Sequence, residues 1–126
     1  MNGRAAAVGA LSLAAGIALF LWARGPVRGA LGDVLVVVFL VASLAAVGVG
    51  SARSRLLGVG ALAVGLESLQ GLHLVGPDAP WIAHLVLGST FDPLDLLAYL
   101  GGSIVAAGLE RWWAISSPSG RASPPP

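Results

Sequence analysis

Four apolar stretches follow one another along the chain with only short polar breaks, over about residues 5–23, 31–49, 56–75 and 94–113. Each is close to the ~20 residues that a helix needs to cross the hydrocarbon core of a bilayer. Only 10% of the 126 residues are charged and 56% are hydrophobic, whereas a soluble domain carries about 25% charged residues. The outside of such a chain would be sticky in water, while lipid solvates apolar side chains and penalises only unsatisfied polar groups. The expected fold is therefore all-α, a polytopic membrane four-helix bundle forming a single transmembrane domain over residues 1–115.

The breaks refine this expectation. Residues 24–29 and 51–55 are short connections, and a longer one runs from Gly76 to Asp92. Within it, residues 79–88 are apolar but too short to span, which predicts an interfacial or re-entrant helix between the third and fourth crossings. Residues 116–126 are rich in Pro and Ser and are expected to form a disordered tail. The first stretch is longer than the apolar part of a signal peptide, and Leu21-Trp22-Ala23 makes a poor cleavage site, so a retained helix is expected.

Orientation follows from arginine, since all seven basic residues are arginines. With four crossings, Arg4, Arg53, Arg55, Arg111 and Arg121 share one side, and Arg24 and Arg28 lie on the other. The excess places both termini in the cytoplasm of an inner (plasma) membrane protein. Small residues recur every four positions at Ala42, Ala46 and Gly50, and again at Ala98, Gly102 and Ala106. That spacing lets helix backbones approach closely in lipid.

On this topology the acidic residues other than Glu110 collect toward the outer side. Asp33 opens the second stretch, Glu67 and Gln70 lie in the outward half of the third, and Asp92, Asp95 and Tyr99 open the fourth. Glu67 is expected near mid-membrane, where an ionised carboxylate is costly, and in hydrogen-bonding reach of Gln70 or a facing helix. Asp92-Pro93-Leu94-Asp95 reads as an N-cap, a first-position proline and a first-turn acid. Arg24 and Arg28 rim the same side, within reach of Asp95 across a bundle. The candidate polar site is thus Asp33, Glu67, Gln70, Asp92, Asp95, Tyr99, Arg24 and Arg28.

Several functions find no support in the residues. There is no cysteine, so no disulfide framework or thiolate chemistry is possible. A net charge of +1 argues against nucleic acid as a partner. His73 and His84 have no metal-ligand spacing around them, and no metal or other cofactor is expected. Phosphate loops, nucleophile elbows and metalloprotease helices are absent, so nothing points to an enzyme.

Arg28-Gly29-Ala30-Leu31-Gly32-Asp33-Val34-Leu35, Glu67-x-x-Gln70 and Leu87-Gly88-Ser89-Thr90-Phe91-Asp92-Pro93-Leu94-Asp95-Leu96-Leu97-Ala98-Tyr99 together resemble a family of small bacterial membrane proteins, a domain of unknown function. The resemblance covers most of residues 24–110. More distantly, Glu67-x-x-Gln70 followed by Asp92-x-x-Asp95 is similar to the VanZ-like family, some of whose members are linked to teicoplanin resistance. The likeness implies that Glu67, Gln70, Asp92 and Asp95 are the shared polar residues, with Tyr99 standing where VanZ-like proteins usually show Asn.

Three functions compete on these grounds. The first is an outward-facing polar cluster that binds or processes an envelope lipid or lipid-linked head group. The second is a structural or accessory subunit that packs on a membrane partner protein. The third is a small transporter or proton-coupled carrier working as a homo-oligomer. The sequence names no ligand.

Overall fold

A computed structural model describes residues 1–87 and 92–116. Residues 88–91 of the motif and residues 117–126 of the expected tail lie outside the described residues. The described chain is all-helical: α1 (Gly3–Trp22), α2 (Pro26–Ala46), α3 (Ala52–Gly71), the short α4 (Trp81–Leu87) and α5 (Pro93–Ile115).

Each long helix begins on a local signal. Asn2 Oδ1 accepts the N–H groups of Arg4 and Ala5, both at 3.2 Å. Pro26 occupies the first turn of α2 behind Gly25, whose φ of 76° only glycine adopts at little cost. The Ser51 hydroxyl accepts the Ser54 N–H at 3.2 Å. Asp92 does the same for Leu94 at 2.9 Å, with Pro93 next in line. These side chains satisfy donors that a helix start would otherwise leave without partners.

The caps move boundaries that hydropathy alone misplaces. α2 starts at Pro26 rather than near Leu31, so Arg28 and Gly29 are helical and not part of a loop. It ends at Ala46, which leaves Gly50 in a turn at φ +66° and outside the small-residue stripe. α3 starts at Ala52 and stops at Gly71, just before His73 turns left-handed at φ 50°. Glu67 therefore lies about one turn from the end of α3, not at its middle.

α2 is the central element, packing most extensively on α1 and then on α5; α3 leans more lightly on α2 and α5, and α4 contacts α3. The close packing is made by small side chains. Ala5, Ala42, Ala45 and Ala46 are buried around Trp113, and a second cluster joins Val37, Val41, Val59 and Ala106. Ala98, Gly102 and Ala106 are all buried, so the stripe on α5 is a packing face. α1 contributes Ala5, Gly9 and Ser12 in the same manner.

The helices alternate in direction. At one end the Asn2 N–H donates to the Ala46 carbonyl at 3.0 Å, and the Arg4 guanidinium lies 5.2 Å from the Trp112 ring. The start of α1 thus meets the ends of α2 and α5. At the other end the Arg28 guanidinium stacks 4.2 Å from the Phe20 ring. Among the described helices, α1 and α2 are long and apolar enough to cross a membrane, with mean hydropathies of 2.0 and 2.3. In α3 and α5 the polar residues Arg53, Arg55, Glu67, Asp95, Glu110 and Arg111 dilute the apolar run.

Candidate functional site

The closest approach between two helices sets up the polar cluster. A Cβ at Gly102 of α5 would lie 3.0 Å from Val37 Cβ and 3.1 Å from both the Cα and the carbonyl oxygen of Val34. Only glycine allows α5 that near to α2. One residue before Val34 is Asp33, and about two turns before Gly102 is Asp95. The two helices therefore hold Asp33 near Asp95, with Glu67 and Tyr99 within electrostatic range. Asp33, Asp95 and Tyr99 are each part-buried.

α3 supplies the third carboxyl. Glu67 is 1% exposed, the largest of the fully buried side chains. Its Oε1 accepts the backbone N–H of Asp92 at 3.1 Å, while its Oε2 has no partner among the described residues. Of the two expected partners, Gln70 or a facing helix, this bond is to the second, at the start of α5. Gln70 is itself buried on the same face, three residues on. Asp92 is exposed and joins the cluster through its backbone; its carboxylate is occupied in capping α5.

The two rim arginines do not enter the cluster. Arg24 is exposed, and Arg28 lies on Phe20. Among the described residues the one ion pair is elsewhere, between Arg55 and Glu110. Arg55 Nε donates to Glu110 Oε1 at 2.6 Å, and its Nη2 to Oε2 at 2.7 Å. Trp113 Nε1 donates to the same Oε2 at 2.9 Å, and Arg55 Nη1 reaches back to the Val49 and Gly50 carbonyls. This fork ties α3, α5 and the turn after α2 at the end opposite the acidic cluster. The sequence carried one sign of it: Glu110 is the lone acid among the arginines of that side.

The arrangement brings Asp33, Glu67, Asp95 and Tyr99 together from three helices, with Gln70 and the Asp92 backbone beside them. It offers carboxyl oxygens, a phenol and no arginine in contact, so it suits a ligand rich in hydrogen-bond donors. Among the described residues no three His, Asp or Glu side chains converge in a way that could hold a metal ion. The family described as "Protein of unknown function (DUF2809)" matches residues 22–103. The chain belongs to the DUF2809 family. The matched span takes in every residue of the cluster and leaves out Glu110. No curated protein and no solved structure matches the chain.

Proposed function

We propose that this DUF2809 protein is a multi-pass inner-membrane protein whose acidic recess receives the head group of an envelope lipid or lipid-linked molecule. The membrane part of the reading is carried by exposure. Only 17% of the most apolar window of α1 is buried, and Leu11, Phe20 and Leu21 are each more than 60% exposed. A helix this apolar in the core of a soluble protein is covered by its neighbours. Here the apolar face looks outward, which lipid solvates at no cost. α3 and α5 then complete four crossings, their few charges turned inward or placed at helix ends. The arginine balance sets both termini in the cytoplasm and the recess at the outer leaflet.

The head-group part rests on one observation: the buried Glu67 Oε2, without a partner among the described residues, beside the Asp33–Asp95 pair. Buried polar atoms are normally hydrogen-bonded, and an amine or sugar hydroxyl would supply the missing donor. The test is lipid retention by the full chain purified in mild detergent, read by mass spectrometry. The wild type should retain a lipid with an amine or glycosyl head group, and Asp33→Asn/Asp95→Asn should lose it while unfolding at the same temperature. Equal retention by the two would leave the recess without this function and favour a purely packing role for its acids.

A further inference from the structure

The opposite end of the molecule carries a second feature that the acidic recess does not explain. α3 and α5 touch lightly, and between them runs an open groove of about 600 Å³ lined by Gly60, Ala61, Val64, Ser103 and Ile104. Its lining is apolar, since the Ser103 hydroxyl is turned onto the Tyr99 carbonyl at 2.8 Å. A Cβ at Gly60 would meet no atom within 4 Å, so that glycine leaves space and fills none. A second hollow of about 450 Å³ shares Leu56, Leu57 and Ala107 with the first and extends it toward Arg53 and Arg111. The two adjoin through these shared residues as an open groove, apolar along its length and basic at its mouth.

The charge at that mouth is positive. Glu110 lines it too, but its carboxylate is already held by the fork from Arg55 and by Trp113. Arg53 and Arg111 are exposed and form no ion pair among the described residues. Two unpaired guanidinium groups above an apolar groove match one kind of molecule in a bilayer. It has an acyl chain to lie in the groove and a phosphate to meet the arginines, and guanidinium binds phosphate in a bidentate manner.

We infer that the groove between α3 and α5 is a binding site for an anionic phospholipid of the cytoplasmic leaflet, with its phosphate on Arg53 and Arg111 and an acyl chain along Gly60 and Ala61. The inference rests on the membrane reading above, and it concerns a site separate from the acidic recess. Basic pockets between helices on the cytoplasmic side are suited to such head groups.

The full chain, purified in non-ionic detergent, is titrated with phosphatidylglycerol, with phosphatidylcholine of the same acyl chains, and with inorganic phosphate, and adducts are counted by native mass spectrometry. Each arginine at a lipid surface is worth about five-fold in binding, so phosphatidylglycerol should bind about 20-fold better than phosphatidylcholine. Arg53→Gln/Arg111→Gln should erase that preference, and both side chains are exposed, so the fold should be kept. Gly60→Leu should weaken both lipids alike by filling the groove. Equal binding of the two lipids by the wild type, or a preference that survives in the arginine double variant, would overturn the site. Inorganic phosphate that competes as well as the lipid would do the same, since the acyl chain would then contribute nothing. Release of the chain from membranes by alkaline carbonate would instead remove the membrane reading itself.

Discussion

The carboxyl of Glu67 on α3 accepts the backbone N–H of Asp92 at 3.1 Å, and Asp92 is the cap of α5. One buried side chain thus ties α3 to the capped start of the last long helix. The bond needs an acceptor oxygen and not a charge. Glu67→Gln should therefore unfold within a few degrees of the wild type in detergent. Glu67→Ala, which leaves the N–H without its partner, should cost about 1–2 kcal/mol. A collapse of Glu67→Gln would mean that the charge itself organises the cluster.

Arg55 and Glu110 form a bidentate pair whose side chains are only 12% and 5% exposed. Removing either partner leaves the other's charge part-buried without its counter-ion, and each single variant, Arg55→Gln or Glu110→Gln, should lose about 1–3 kcal/mol. The double variant should be less damaged than the sum of the two, with a coupling of about 1–3 kcal/mol. Strict additivity in the thermal unfolding of the four proteins would show that the fork contributes nothing beyond its separate hydrogen bonds.

A Cβ at Gly102 would lie 3.0–3.1 Å from Val34 and Val37, whereas one at Gly16 on α1 would face open space. Overpacking at the first position should separate α2 from α5. Gly102→Leu should cost about 1–3 kcal/mol and also move Asp95 away from Asp33. Gly16→Ala should be neutral or stabilise by up to about 1 kcal/mol through helix propensity. Comparable stability for the two variants would place the α2–α5 contact elsewhere.

The chain contains no cysteine, so single introduced thiols report sidedness without background. Ser51→Cys, in the turn between α2 and α3, should react with an impermeant maleimide only after the cell is opened. Asp78→Cys, between α3 and α4, should react in intact cells. Labelling of both from one side would contradict the four-crossing topology and the assignment of the recess to the outer leaflet.

The sequence made some of this legible and hid the rest for identifiable reasons. The all-helical chain and its apolar segments follow from length and hydropathy, because α1 and α2 are long apolar runs with few charges. Helix starts were harder: Pro26 and Ser51 lie in segments whose arginines and glycines look like loops, yet a first-turn proline and a serine cap pull them into helices. Glu67 stood out as a carboxylate in an apolar run. Its true partner was a backbone N–H 25 residues away, which no side-chain spacing could signal. Arg24 and Arg28 were drawn to the acids by charge alone, but Arg28 finds the Phe20 ring nearer to hand. The Arg55–Glu110 fork has no local signature in the sequence, because its partners are 55 residues apart and share no motif spacing.

Arg55 and Glu110 are 55 residues apart in the chain, and that interval has a consequence for synthesis. α3 leaves the ribosome well before Glu110 exists. On the membrane reading, its guanidinium must stay at the bilayer surface or remain hydrated until α5 arrives. On the same reading α1 and α2 would enter first as a hairpin, and Asp33 of α2 would likewise wait for Asp95 of α5. Both polar contacts that join the early helices to the last one would then close only when translation has passed Glu110.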